Sequence, residues 1–265
     1  MNRKILIIRA DELRHIALSS MFKVNGFTVC EVIQKKITKD KSSFSHLMTL
    51  HFELRKRVEN DFFSDIVSKT KIVKSLQIES VNINSNDVIS FAKDFNPDLV
   101  ITFGCSILKN PWLNLFKDKI LGIHLGLSPY YRGSGTNFFP FVNNELGAVG
   151  YTLMKLNQGI DTGDIIHQSY ANFESGDDIH TTGSRLIRKM FDDILNISRG
   201  TDINLEFKFA IQQPNIEKFK LYRRQDFTEE ALAQAQRNIN DNLVENHIKN
   251  IKLERSKFPL IREII

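Results

Sequence analysis

The sequence contains no run of about 18 apolar residues, so no segment has the length and polarity of a membrane-spanning helix. It has only two cysteines, Cys30 and Cys105, and the two do not form a CxxC pair. Both lie in apolar stretches, which indicates buried thiols in a reducing compartment. We therefore expect a cytoplasmic protein that has no membrane span and binds no metal.

Charge of one sign is not concentrated anywhere along the chain. The 36 Lys and Arg residues and the 31 Asp and Glu residues give a net charge of +5 and a pI near 9.1. This charge is compatible with an anionic substrate such as a nucleotide, but the basic residues are dispersed among acidic ones. The composition therefore does not favour a dedicated nucleic-acid-binding protein.

The N-terminal part has the pattern of a strand–helix–strand unit. Residues 5–8 form a short apolar run without alternation, which is typical of a strand covered on both faces. Apolar residues at helical spacing follow from 13 to 24 and end at Gly26, and residues 27–33 again have strand character. Parallel sheets are built from such units, so we predict a three-layer α/β fold with a mostly parallel, twisted sheet.

Further elements can be placed along the rest of the chain. We predict strands at residues 99–103, 120–124, 147–156 and 164–171, and helices at residues 51–73, 86–95 and 178–197. A last helix begins at Thr228, with two glutamates in its first turn. We divide the chain into a main domain, residues 1–214, and a short, mainly helical C-terminal extension, residues 215–265, of unknown role.

The densest group of candidate functional residues lies between residues 122 and 166. His124 ends a predicted strand, where open α/β sheets bind their ligands, and Asp161 lies in a turn flanked by glycines. A carboxylate close to an imidazole raises the basicity of the ring and fixes its tautomer, as general acid–base catalysis requires. From these residues alone, a buried core histidine and an ordinary turn aspartate remain alternatives.

The segments around these two residues resemble the catalytic core of the folate-dependent formyltransferases, which have a Rossmann-like fold. Residues 121–133, LGIHLGLSPYYRG, are similar to the family pattern Asn-x-His followed by Ser-x-Leu-Pro and Arg-Gly. Residues 159–166, GIDTGDII, are similar to the family's Asp-x-Gly-x-Ile-Ile loop. The resemblance is specific over residues 95–170, where it also predicts a helix at residues 135–146.

This resemblance implies transfer of a formyl group from 10-formyltetrahydrofolate to a primary amine. By analogy, His124 handles the proton and helps to stabilise the tetrahedral oxyanion, while Asp161 orients His124 and assists proton removal from the amine. The family binds the pterin in an apolar slot, whose counterparts here are Phe103, Ser106, Ile107, Leu108, Gly159, Ile160 and Asp161. For Ile107 and Leu108, ordinary core packing is an equally good interpretation.

Three positions depart from the family. Gly122 stands where the family has an asparagine that holds the formyl oxygen, and losing one such donor typically costs about 10²- to 10³-fold in rate. Asn137 is a candidate substitute donor, with helix capping as the alternative. Met154 replaces a histidine of many relatives. The third departure follows the first strand, where purine-pathway relatives have a glycine-rich phosphate loop and this chain has Arg9 and Arg14. These two side chains either bind phosphate or lie in a solvated helix start.

The acceptor is chosen by elimination. The helical extension does not match the C-terminal barrel that usually accompanies a methionyl-tRNA acceptor, and the missing phosphate loop disfavours glycinamide ribotide. We expect a nucleotide-linked amino sugar, as in polysaccharide biosynthesis. Candidate substrate contacts are Arg9, Arg14, Arg132, Asn137 and Tyr222, followed by Arg223 and Arg224.

Other outcomes stay open at this point. The same His124 and Asp161 could hydrolyse a formyl group, or the chain could be a catalytically impaired binding homologue because of Gly122. We expect Gly122→Asn to leave the activity unchanged or to raise it. A homodimer is also left open.

Overall fold

The computed structural model describes residues 3–35, 44–67, 74–200 and 203–264, with the side chains of residues 203–205 excepted. Within these ranges no helix has the length and apolar character needed to cross a membrane. The strands are β1 (Lys4–Ala10), β2 (Thr28–Lys35), β3 (Ser75–Glu79), β4 (Leu99–Phe103), β5 (Ile120–His124), β6 (Arg132–Gly133), β7 (Gly150–Lys155), β8 (Ile165–Tyr170) and β9 (Leu221–Tyr222).

The α-helices alternate with these strands and then fill the C-terminal part. They are α1 (Leu13–Val24), α2 (His46–Val67), α3 (Asn86–Phe95), α4 (Asn110–Leu115), α5 (Phe139–Asn143), α6 (Ile179–Arg199), α7 (Ile203–Lys208), α8 (Glu229–Asn240), α9 (Leu243–Lys249) and α10 (Ile251–Ser256).

Seven strands form the main sheet, in the order β3-β2-β1-β4-β5-β7-β8. Strands β1 to β5 run parallel, and β7 is antiparallel to both of its neighbours. Alternate residues of β1 enter two different cores: Ile5 and Ile7 pack on the side of α1 and α6, and Leu6 and Ile8 pack on the side of α3 and α4. The predicted three-layer, mostly parallel α/β fold is therefore confirmed.

Some predicted boundaries need correction. The helix predicted at residues 51–73 begins earlier, at His46, and its last residues, 68–73, lie outside the described part of the chain. The helix predicted at residues 135–146 is wrong: α5 covers only five residues, because Asn144 adopts a left-handed conformation (φ 57°) and ends it. Strand β3 and helix α4 were not predicted, since one is a polar edge strand and the other is a short helix that contains a proline.

The extension packs against the main core. The helix predicted from Thr228 is confirmed, with the Thr228 hydroxyl accepting a hydrogen bond from the amide of Ala231 at 3.2 Å. Leu232 of α8 and Val244 of α9 belong to the same hydrophobic cluster as Ile5 of β1. The extension and residues 1–214 therefore share one core, and the boundary at residue 214 stays a prediction.

Tyr222 joins the extension to the main domain. Its ring stacks on Phe139, with centroids 4.0 Å apart, and lies parallel to Tyr131 at 5.5 Å. Its hydroxyl accepts a hydrogen bond of 2.8 Å from the side-chain amide of Asn143. The side chain that we predicted to contact substrate is thus buried between aromatic rings.

We expect Tyr222→Ala to lower the free energy of unfolding by about 3–5 kcal/mol, because the variant loses a buried aromatic ring and leaves a cavity. Tyr222→Phe keeps the stack and loses one hydrogen bond, at a cost of about 1 kcal/mol. Urea unfolding measures both, with the exposed Lys218→Ala as the control. Equal unfolding midpoints for Tyr222→Ala and Lys218→Ala would contradict the stabilising role of the stack.

Candidate functional site

The fold brings His124 and Asp161 together. His124 is the last residue of β5, and Asp161 lies in the loop between β7 and β8. The Nδ1 atom of His124 is 3.3 Å from the Oδ2 atom of Asp161. The imidazole is 7% exposed, whereas about a quarter of the carboxylate (23%) is exposed. The pair therefore lies at the surface end of the sheet, with the ring well shielded from solvent.

The other ring nitrogen fixes the tautomer of His124. Its Nε2 atom lies 2.8 Å from the carbonyl oxygen of Tyr131. A carbonyl can only accept a hydrogen bond, so we assign the proton to Nε2. In the neutral ring the lone pair is then on Nδ1, beside Asp161. This arrangement presents a base next to a carboxylate that can stabilise it once it is protonated.

Asp161 is held in an uncommon backbone conformation. Its φ angle is 52°, in the left-handed region that non-glycine residues rarely adopt. The amide of Gly133 donates to its Oδ2 at 2.8 Å, and the side chain of Gln213 donates to its carbonyl at 3.0 Å. The Ser128 hydroxyl donates to the same carbonyl at 3.4 Å. These bonds offset the conformational cost and direct the carboxylate toward the histidine.

Buried polar side chains hold the turn that follows His124, residues 126–133. The Thr152 hydroxyl donates to the carbonyl of Gly126 at 2.7 Å and accepts from the amide of Ser128 at 3.0 Å. The Gln168 side chain donates to the carbonyl of Ser128 at 2.7 Å. Thr152 and Gln168 are fully buried and were missed in the sequence, although a polar residue inside an apolar strand is a signal that it has a hydrogen-bonding role.

Gly122 is the position of the missing donor, and Asn137 is the candidate substitute. Gly122 lies in β5 two residues before His124 and pairs with the buried Met154 of β7. The side-chain oxygen of Asn137 accepts a hydrogen bond of 3.1 Å from the amide of Gly150. Asn137 does not cap a helix, because the N-cap of α5 is the next residue. It ties the segment between β6 and α5 to the start of β7 instead.

The residues predicted to form the pterin slot fall into two groups. Phe103 is 3% exposed in the main core, where its ring meets that of His15 at 4.4 Å, and Leu108 is 3% exposed in the second core. Ile107 and Ile160 are instead 57% and 41% exposed. The apolar surface available to a ligand therefore comes from the two isoleucines, and Phe103 and Leu108 lie in the interior.

Two further residues of the predicted slot, Ser106 and Gly159, are exposed. The amide of Ser106 donates to the side-chain oxygen of Gln34 at 2.7 Å, which joins the loop after β4 to the end of β2. The amide of Gly159 donates to the side chain of Asn157 at 3.0 Å, inside the loop of Asp161. Both backbones are therefore fixed, while their surroundings remain open.

The structure places Arg9 and Arg14 in ion pairs rather than on a phosphate-binding surface. Arg9 is 5% exposed, and its Nε atom is 2.7 Å from the carboxylate of Glu31. Burial opposes ionisation of Glu31, but the charge and hydrogen bond of Arg9 outweigh it and lower the pKa of that carboxyl. Arg14 pairs with Glu12 and Glu59. Both guanidinium groups are thus already neutralised by the protein.

Arg132 also has a structural position. It is 8% exposed and donates to the carbonyls of Ile160 (3.5 Å) and Ile216 (3.3 Å). It therefore connects the turn after His124 with the loop of Asp161 and with the extension. Because Tyr222 is buried as well, most of the side chains that we predicted to bind substrate are not accessible at the surface.

A cavity of about 70 Å³ lies at the carboxyl ends of the parallel strands. Arg224 of the extension contributes an exposed positive charge to it. The cavity adjoins the boundary between β1 and β4, where the strand order of an open α/β sheet reverses and ligands typically bind. Its lining residues are Ala10, Gln34, Ser80, Gly104, Cys105, Ser106 and Arg224.

The chain is similar to several known proteins. The methionyl-tRNA formyltransferase of Finegoldia magna is 30% identical over 151 residues, which cover 53% of this chain and 48% of that protein. The GDP-perosamine N-formyltransferase of Brucella melitensis is 25% identical over 133 residues, which cover 48% of this chain and 51% of that protein. This chain therefore spans about half the length of the curated relatives it matches.

A solved structure has a similar fold. The N-formyltransferase from Helicobacter canadensis, in complex with folinic acid and dTDP-3-aminofucose, has a TM-score of 0.53 at 19% identity, covering 88% of this chain and 79% of that chain. The formyl transferase family model matches residues 51–191, which include both His124 and Asp161. The resemblance predicted from the sequence is confirmed: the chain belongs to the formyl transferase family.

Proposed function

We propose that this chain transfers a formyl group from 10-formyltetrahydrofolate to a primary amine. The observation that carries the proposal is the His124–Asp161 pair, with Nδ1 and Oδ2 3.3 Å apart at the end of β5. The amine nitrogen bonds to the formyl carbon, the bond from that carbon to N10 of the folate breaks, and N10 of the leaving tetrahydrofolate takes up a proton. The proton that the attacking amine releases passes through the partly exposed carboxylate of Asp161 to Nδ1 of His124, and the carboxylate stabilises the resulting imidazolium. The carbonyl of Tyr131 keeps the ring in the required orientation.

The folate contact that fits this site is apolar. Ile107 follows β4, and Ile160 directly precedes Asp161. These two large apolar side chains are 57% and 41% exposed. Their exposed surface favours binding of an apolar ligand surface such as a pterin ring. In this proposal the two isoleucines hold the pterin, and the backbones of Ser106 and Gly159 form the edges of the slot.

We expect His124→Ala to lower kcat/KM for formyl transfer at least about 100-fold, because the proton acceptor is lost. Formation of the N-formyl product and of tetrahydrofolate is measured with and without amine. His46→Ala, a change of an exposed histidine at the start of α2, is the matched control. A full rate in His124→Ala would refute the assignment, and folate turnover that needs no amine would support a hydrolase instead.

For the acceptor, we propose an amino sugar linked to a nucleotide. The cavity beside Arg224 lies near the end of β1, and β4 separates β1 from β5. Two strand spacings correspond to about 10 Å, a length that an amino-sugar ring and its glycosidic oxygen can cover from His124 to a diphosphate. One relative is a GDP-perosamine N-formyltransferase, and one structure of the same fold contains dTDP-3-aminofucose.

Methionyl-tRNA is the second candidate acceptor, because the Finegoldia magna relative is a methionyl-tRNA formyltransferase. The two candidates are separated by supplying each as the only amine. With a nucleotide-linked sugar as the acceptor, the protein would act in polysaccharide biosynthesis in the cytoplasm. Both that setting and a homodimer stay predictions.

We expect Arg224→Ala to raise KM for an amino-sugar nucleotide about tenfold and to change kcat little, because one charged contact to phosphate is worth about 1.4 kcal/mol. Lys218→Ala is the matched control, since Lys218 is also exposed but does not line the cavity. The same assay with the corresponding free amino sugar should show no effect of Arg224→Ala. An equal loss with the phosphate-free sugar, or with Lys218→Ala, would argue against a phosphate contact.

A further inference from the structure

Leu156 fills the space that a side chain at position 122 would occupy. Gly122 and His124 are two residues apart in β5, so their side-chain directions lie on the same face of the sheet. A β-carbon on Gly122 would lie 2.4 Å from Cδ2 of Leu156 and 3.2 Å from its Cγ. Non-bonded carbons pack at about 3.5–4.0 Å, so residue 122 can carry a side chain only if Leu156 moves.

The surrounding structure holds Leu156 in this place. The antiparallel pairing of β5 and β7 puts Met154 opposite Gly122, and Leu156 follows two residues later, at the diagonal position. Leu156 is partly buried and packs against the hydrophobic cluster that contains Leu108 and Trp112. Moving its side chain therefore costs apolar contacts on the α4 side of the sheet.

We propose that Gly122 and Leu156 act as one unit, in which Leu156 covers the face of β5 at position 122 and Gly122 provides the room for it. This inference rests on the proposed function, because it concerns the position at which the family has the asparagine that holds the formyl oxygen. An amide at position 122 would point to the same side as His124 and act as an oxyanion donor only once Leu156 has been shortened. Gly122→Asn alone should therefore be harmful, contrary to the expectation from the sequence.

A double-mutant cycle tests this coupling. The variants are Gly122→Asn, Leu156→Ala and the two combined. In the matched control cycle Gly122→Ala replaces Gly122→Asn, because it adds the β-carbon without the amide. Melting temperature and kcat/KM are measured for each. We expect Gly122→Asn and Gly122→Ala to lower the melting temperature by several degrees in the original chain and to have little effect when Leu156→Ala is present.

For activity, we expect Gly122→Asn to lower kcat/KM on its own and to raise it about tenfold in the Leu156→Ala background, because a new donor faces the oxyanion. Gly122→Ala should give no gain in that background. Additive effects on melting temperature, or a Gly122→Asn variant as stable and as active as the original chain, would overturn the proposal. The melting temperatures test the coupling even if no formyl transfer is observed, so this failure is distinct from failure of the proposed function.

Discussion

The turn at residues 126–133 holds both members of the proposed catalytic pair. The carbonyl of Tyr131 accepts the hydrogen bond from His124, and the amide of Gly133 donates to the carboxylate of Asp161. Because both bonds come from the backbone of one short turn, the position of the turn sets the distance between the imidazole and the carboxylate. The buried side chains of Thr152 and Gln168 fix the turn to the antiparallel strands of the sheet.

The same turn depends on the extension. The amide of Ser134 donates to the carbonyl of Tyr222 at 2.9 Å, and β6 pairs with β9. A β-carbon on Gly133 would lie only 2.0 Å from that carbonyl oxygen, so this close approach requires glycine, whose φ here is 94°. Gln213 completes the support by bonding the carbonyl of Asp161. Residues far from the family motif therefore maintain the geometry of the motif.

The sequence was a good guide wherever a local pattern determined the structure. Residues 5–8 and 99–103 are apolar without alternation because both sheet faces are covered, and β5 ends at His124, as predicted. The proximity of His124 and Asp161 was predictable from the family resemblance, because both belong to its motif.

Long-range pairing could not be predicted in the same way. Arg9 and Arg14 look like free charges after a strand, but their partners Glu31 and Glu59 are 22 and 45 positions away. The contacts of Tyr222 likewise reach back to residues of the main domain. A charged or aromatic residue reveals its chemistry in the sequence, whereas its partner is set by the tertiary fold.

The contact between Gly133 and Tyr222 also bears on when the site forms. The two residues are far apart along the chain, so a ribosome that has synthesised the turn and the loop of Asp161 has not yet produced the strand that pairs with the turn. Domains fold as the chain emerges, with the N-terminal part first. A nascent chain can therefore contain both His124 and Asp161 before their geometry is complete. The site can therefore assemble only after β9 has been synthesised.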